Sequence, residues 1–350
     1  MYEQGVIRPP SEANSLLLRV TRNCPWNQCV FCPAYKGTKF SRRTVDEIKR
    51  DIDNIAKEYE GYTYIKSVFL QDANSLLLPT TDLLAVLEYL RLKFPDIERI
   101  TSYARAPTLK RKSVEELKQL KEAGLTRIHV GMESGSSRVL KMIKKGITPE
   151  DIVIGGTHVK ESGISLSEYI MPGIGGRTLS EEHAIETAKL LNTIKPDFIR
   201  VRTFAMHPKS PMQKMVEEGT FVPMTDEEIV AEIRLLVSHL DEMHSYFSCA
   251  DFSLNLLMEV DGCLDEKKAA MLEELDRFLS LTKKQKQVYS LLRRASFGYY
   301  PIDVVYNEGL LNQVLPEIEK LEKSGEDGFN RYIQHLMSYQ LPQLQTDNWT

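Results

Sequence analysis

Residues 15–32 read SLLLRVTRNCPWNQCVFC: an apolar, β-prone run over 15–21 passes directly into a loop carrying Cys24, Cys29 and Cys32. Three thiols packed into nine residues can fold toward one point, and a loop that ends a strand lets them do so. The chain has five cysteines, with Cys249 and Cys263 far from the others. This odd, crowded set is no disulfide framework and points to metal or redox chemistry in a reducing compartment. Cubane iron–sulfur clusters usually take four cysteines. Three leave one iron without a protein ligand, and an open position marks a catalytic site rather than a structural one. A structural zinc needs four ligands, and the nearest candidates for a fourth, His129 and His158, fall in an expected strand and an expected helix.

Outward from this loop, β-rich runs alternate with amphipathic ones. After 15–21, strands are expected at 65–71, 99–103, 127–133, 164–170 and 198–203. Helices are expected between them at 45–59, 81–93, 113–123, 137–144 with 149–161, and 181–193. Each strand–helix–strand passage takes about 30 residues, as a right-handed parallel unit does. Six units fall short of an eight-fold barrel, so the expected fold is α/β, a partial (β/α)6 TIM-like barrel over 15–209. Ligands of such sheets gather at the carboxyl ends of the strands. A lead-in, 1–14, precedes the barrel. Past 209 the period turns helical, at 225–244, 266–281, 310–322 and 328–338. That predicts a mainly helical C-terminal domain over 210–339 and a polar tail over 340–350.

The composition, 42% hydrophobic and 27% charged over 350 residues, is that of a soluble globular protein. With a formal net charge of -4, nothing global marks a nucleic-acid or membrane-surface binder. No apolar run reaches about 18 residues, so no spanning helix and no membrane partner are expected. The opening MYEQGVIRPPSEANS lacks a basic segment followed by an apolar one, and a cytoplasmic location is expected.

The cysteine loop after the first strand of a partial barrel resembles the radical S-adenosylmethionine (SAM) superfamily. The family's common spacing is C-x3-C-x2-C; here it is C-x4-C-x2-C. Phe31, just before the last cysteine, matches the family position that lies against the adenine. The run Gly131-Met132-Glu133-Ser134-Gly135 resembles the E-S-G pattern of one branch, which holds tRNA methylthiotransferases, coproporphyrinogen-oxidase-like proteins and the elongator catalytic subunit. The resemblance implies a [4Fe–4S] cluster on Cys24, Cys29 and Cys32, with SAM chelated to the open iron. It implies reductive cleavage of SAM to a 5′-deoxyadenosyl radical that takes hydrogen from an unidentified substrate. An external electron donor, flavodoxin- or ferredoxin-like, goes with that chemistry.

Further SAM contacts follow from the same resemblance. Glu133 and Ser134 are expected at the ribose and methionine portions. Gln71 and Asp72 occupy the place of the family's glycine-rich segment, which this chain lacks. Gly173, Gly175 and Gly176 offer backbone on the adenine side, and Arg202, which shares a strand face with Arg200, could reach the SAM carboxylate. Plainer readings stand beside these: Ser134 as a helix cap, Asp72 with Asn74 as an Asx turn, the glycines as a strand-to-helix turn.

Tyr103 and Arg105 are expected on the substrate cavity. Lys36, Lys39, Arg42 and Arg43 form a basic patch that would suit a phosphate-bearing substrate, even RNA, although a solvated surface is the plainer reading. Cys249 and Cys263 read as small hydrophobes, and 246–264 as a segment over the barrel mouth. The leading function is a radical SAM enzyme. The alternatives are a non-catalytic iron–sulfur or SAM-binding, cofactor-handling protein and an RNA-modifying radical SAM enzyme; a nucleic acid partner is not otherwise indicated.

Overall fold

The chain enters its main sheet with Leu16–Arg19 (β1), and a short ribbon of Thr21–Arg22 (β2) and Ser41–Arg42 (β3) then brackets the cysteine loop. The computed structural model describes residues 7–59, 65–295, 299–325, 327–341 and 349. Positions 1–6 of the lead-in, and the polar tail past 341 apart from Trp349, lie outside the described residues.

Helix Val45–Glu58 (α1) leads to Ser67–Gln71 (β4), and Thr80–Lys93 (α2) to Arg99–Ala104 (β5). Ala106–Arg111 (α3) and Val114–Glu122 (α4) lead to Leu125–Glu133 (β6). Ser137–Met142 (α5) and Pro149–Ser162 (α6) lead to Ser165–Ile170 (β7), and Gly176–Ile194 (α7) to Phe198–Val201 (β8). Strands β1, β4, β5, β6, β7 and β8 pair in that order, all parallel. This is the α/β partial barrel that the alternation predicts.

The helix starts are written locally. Thr44 with Glu47, Ser113 with Glu116 and Thr148 with Asp151 form capping boxes, each satisfying two otherwise bare backbone N–H groups. Strand residues alternate between two surroundings. Leu18, Leu70, Ile128, Val130, Leu166 and Ile199 join one large apolar core. Their neighbours Phe69, Tyr103, His129 and Tyr169 form an aromatic cluster inside the barrel, with ring centroids 5.2 to 6.5 Å apart.

The sheet does not stop at β8. After Met212–Glu217 (α8) and Asp226–His239 (α9), Tyr246–Ser248 (β9) pairs parallel with β8, and Asp261–Cys263 (β10) pairs antiparallel with β9. The helix expected to reach 244 thus ends at His239. The ends of 246–264 build the sheet edge, and only the connection between them reaches the mouth. Leu264–Leu279 (α10) packs on α9, which also packs on α7, so the core runs unbroken past residue 209. Lys283–Ala295 (α11), a helix missing from the sequence reading, joins Glu308–Lys323 (α12) and Gly328–Ser338 (α13) around a second apolar core at Val288, Ile318 and Ile333.

Candidate active site

At the carboxyl ends of the strands lies a cavity of about 380 Å³, within the size range of small-molecule sites. Cys24, Cys29 and Cys32 line it together with Phe31, Tyr103, Arg105, Glu133 and Lys145. The cysteine loop is held from several sides. Asn23 and Asn27 take left-handed backbone, φ 65° and 48°, which asparagine tolerates better than most residues. The Asn23 N–H donates to Asp72 Oδ2 (3.0 Å), Trp26 Nε1 to the Lys144 carbonyl (2.7 Å), and the Val30 N–H to the Ile143 carbonyl (3.1 Å). Ser210 Oγ donates to the Val30 carbonyl (2.7 Å), and Lys36 Nζ to that of Asn27 (2.7 Å).

All three cysteines carry free thiols. Burial pushes the Cys29 thiol up, and the Cys32 thiol up to about 12, with the neighbouring sulfurs adding to the effect. Metal coordination reverses that preference, because a coordinated thiol is deprotonated outright. Lys145 and Arg105 stand by to favour the thiolate form of Cys29. A single tetrahedral zinc would hold its sulfurs about 3.8 Å apart. Among the described residues the only trio with ligand atoms within 4.8 Å of one another is His244, Cys263 and Asp265, on and beside β10. The three loop thiols are not such a trio, so at least one pair of them stands wider than one zinc would hold it. Neither histidine proposed as a fourth ligand is nearby in role: His129 faces Glu12 inside the barrel, and His158 Nδ1 faces the carbonyls of Leu109 and Lys112. Three thiols on one cavity with flanking cations fit a cubane that leaves one iron open.

Glu133 ends β6 at a register shift, with φ +62°. A β-bulge of this kind re-aims a side chain, and left-handed backbone in a non-glycine residue costs about 1 kcal/mol or more. The carboxylate so presented takes a 2.6 Å bond from Lys145 Nζ. Burial opposes the charge on Lys145, but Glu133 and Cys29 outweigh it and raise its pKa. Gly131 makes room for the pair: a Cβ there would stand 2.5 Å from Glu133 Oε1.

The remaining expected contacts lie behind this wall. Gln71 and Asp72 are buried; Asp72 pairs with Arg19 (3.0 Å) and holds the Asn23 N–H. Ser134 Oγ meets His183 Nδ1 (2.8 Å) and accepts the Ser136 N–H (3.0 Å); the cap of α5 is not Ser134 but Ser136, whose Oγ accepts the Val139 N–H (3.2 Å). The Gly173 N–H donates to Glu232 Oε1 (2.7 Å). Gly175 precedes α7, and Gly176, φ +60°, abuts the Val222 carbonyl and the Phe221 ring. Arg202 does line the cavity, paired with Asp251, while Arg200 donates to Ser167 Oγ instead. The basic patch is half internal: Lys36 and Arg43 are buried, Arg43 paired with Asp51. Cys249 is buried in the main core, as a small hydrophobe would be, whereas Cys263 is partly exposed.

Sequence reasoning missed Lys145, Tyr35 and Tyr169 on the cavity wall. Lys145 sits beside Gly146, in a stretch that reads as a helix end; no local signal points it at Glu133.

Residues 18–189 match the family model of the Radical SAM superfamily. The tRNA-2-methylthio-N(6)-dimethylallyladenosine synthase of Ehrlichia canis is 28% identical over 236 residues, 65% of this chain and 50% of that protein. The tRNA uridine(34) acetyltransferase of Methanocaldococcus infernus is 26% identical over 122 residues, 35% of this chain and 23% of that protein. The chain thus spans half or less of the length of these relatives. The fold resembles the cobalamin-dependent S-adenosylmethionine radical enzyme OxsB, with a TM-score of 0.52 at 17% identity over 93% of this chain and 58% of that one. With its cysteine loop, partial barrel and strand-end glutamate, the chain belongs to the radical SAM superfamily.

Proposed function

We propose that the chain is a radical SAM enzyme that reductively cleaves SAM at a [4Fe–4S] cluster on Cys24, Cys29 and Cys32 and directs a 5′-deoxyadenosyl radical at a substrate. The observation that carries this reading is the meeting of three thiols and the Glu133–Lys145 pair in one cavity at the strand ends. The cluster, when bound, supplies the electron that breaks the carbon–sulfur bond of the sulfonium.

The chain's own residues divide the remaining work. Glu133, held by Lys145, accepts hydrogen bonds from ribose hydroxyls or from the ammonium group. Phe31 offers its ring to the adenine. Arg105, tied to the carbonyls of Lys145 and Gly146 and lying 5.2 Å from the centre of the Trp26 ring, offsets the negative charge of the thiolates. Arg202 stands across the cavity as a cation for a carboxylate. Gln71, Asp72, Ser134, Gly173, Gly175 and Gly176 act one layer back, holding the loops that meet SAM. Met171, Phe204 and Leu254 wall the cavity and keep water from the radical.

The barrel over 15–209 bears the chemistry in this reading, and 210–339 covers its open edge. The reductant is an external flavodoxin- or ferredoxin-like protein. No described helix is long and apolar enough to cross a membrane, and a cytoplasmic location completes the proposal.

The test is anaerobic reconstitution with iron and sulfide, reduction by dithionite, and chromatography for 5′-deoxyadenosine after SAM is added. Four irons per chain and a 5′-deoxyadenosine peak are expected, and alanine at Cys24, Cys29 or Cys32 should remove both. Alanine at both Cys249 and Cys263 should leave the iron in place. A loaded, reduced protein that binds SAM and releases no 5′-deoxyadenosine would instead be a cofactor-binding protein.

A further inference from the structure

We infer that the cavity contains, beside the cluster cysteines, a subsite for the anionic end of a small-molecule substrate, a carboxylate or a phosphate, built from the hydroxyls of Tyr35, Tyr103 and Tyr169 and the guanidinium of Arg202. The inference rests on the enzyme reading above and names the substrate class of the same site.

Three phenols reach this cavity from three elements: Tyr35 from the loop after the cysteines, Tyr103 from the end of β5, and Tyr169 from the end of β7. Arg202, just past β8, joins them. The hydroxyls of Tyr35 and Tyr169 are buried and meet no hydrogen-bond partner among the described residues. Buried polar groups are nearly always paired, so two orphans on one cavity call for a ligand that completes them. Tyr103 and Tyr169 both pack on His129, with ring centroids 5.9 and 6.1 Å from it.

Burial raises all three phenols, Tyr169 to about 12 and the others well above their ordinary value. Each therefore keeps its proton and can donate. A guanidinium and three phenolic donors on one space match the oxygens of a carboxylate or phosphate, not an amine. Arg8, Arg105, Lys145 and Arg202 line the cavity, with Glu133 and the cysteines as its acidic groups. Asp251 pairs with Arg202 and fixes its direction. Met171, Phe204 and Leu254, which wall the same cavity, suit an apolar body beyond the anionic end. Residues 7–10, Gln340 and Leu341 flank the same cavity, which favours a free small molecule over a polynucleotide.

SAM brings a carboxylate of its own, and the test separates the two sources. The probes are inorganic phosphate and malonate, titrated by calorimetry into cluster-loaded protein saturated with SAM. Binding of at least one anion to the wild type is expected. Tyr35→Phe and Tyr169→Phe should each weaken it about ten- to a hundredfold, the size of a lost hydrogen bond to a charged group. SAM affinity and iron content should be unchanged in both variants. Absence of anion binding by the wild type, or undiminished binding in both variants, would overturn the subsite. So would a matching loss of SAM affinity, because the phenols would then serve SAM's own carboxylate. Anion binding is read without turnover. A protein that binds phosphate through its phenols but cleaves no SAM would remove the enzyme reading alone, and one that cleaves SAM but ignores both anions would remove the subsite alone.

Discussion

Glu133 carries three marks that rarely coincide in a structural residue: left-handed backbone, a bulge at a strand end, and a buried salt bridge. Strain of this kind persists only where the surroundings hold it, and it gathers at ligand sites. Glu133→Gln keeps the shape and an acceptor oxygen but removes the charge. SAM binding should weaken by about 1–3 kcal/mol, the usual worth of hydrogen bonds to a charged group. Calorimetry on the cluster-loaded protein would measure this, with iron content as the control for folding. Unchanged SAM affinity would leave Glu133 a partner of Lys145 and nothing more. The glutamate itself was legible, since E-S-G ends a strand that the alternation marks. Lys145 was not, because its lysine-rich surroundings read as the end of a helix.

At the scale of elements, the cysteine loop is shaped by the turn after α5 as much as by its own residues. Trp26 bonds the Lys144 carbonyl and lies flush on Gly146, where a Cβ would come within 2.2 Å of the indole. Gly146 also has φ +66°, a conformation that side chains resist. Gly146→Ala should therefore displace Trp26 and the loop, costing roughly 1–3 kcal/mol of stability through overpacking alone. Reconstitution should yield fewer irons per chain. Gly219 supplies the control: its φ is +70°, yet nothing lies within 4 Å of an added Cβ. Gly219→Ala should cost about 1 kcal/mol from the backbone and leave iron content alone. Equal iron loss in both variants would show that the Trp26 contact is not what matters.

Across the whole molecule, the lead-in is tied to the barrel by one buried carboxylate. Glu12 receives a 2.6 Å bond from Ser15 Oγ, meets Arg99 at 3.3 Å and faces His129 Nε2 at 3.5 Å. Burial opposes the charge, but the nearby His129, the bond from Ser15 and the charge of Arg99 outweigh it and hold the carboxyl at about 2. A carboxyl lowered on folding stabilises the protein above its unfolded pKa of 4.5, and that stability drains away as pH falls through about 2. Glu12→Gln should thus lose about 2–3 kcal/mol in urea unfolding near pH 7, and the gap to the wild type should close toward pH 2. A gap independent of pH would mean that packing, not charge, gives Glu12 its role.

The sequence by itself determined the alternation of strands and helices, the capped helix starts, and the position of three cysteines at the end of the first strand. These are local properties: side-chain period and terminal caps act within a few residues of one another. It also determined that Glu133 ends the fourth strand, on the same edge of the sheet as the cysteines. Only the tertiary structure decided which side chains meet there. Gln71 and Asp72 read as SAM contacts from their strand end, yet Asp72 is spent on Arg19 and the Asn23 N–H. Lys36 and Arg43 read as surface, yet packing buries both. Strands β9 and β10 span three residues each, too short to show a period, and they exist because β9 pairs with the β8 edge and β10 with β9. Tyr35, Tyr103, Tyr169 and Arg202 lie on four separate segments and come together only when the sheet closes around them, because burial and pairing are properties of the packed chain.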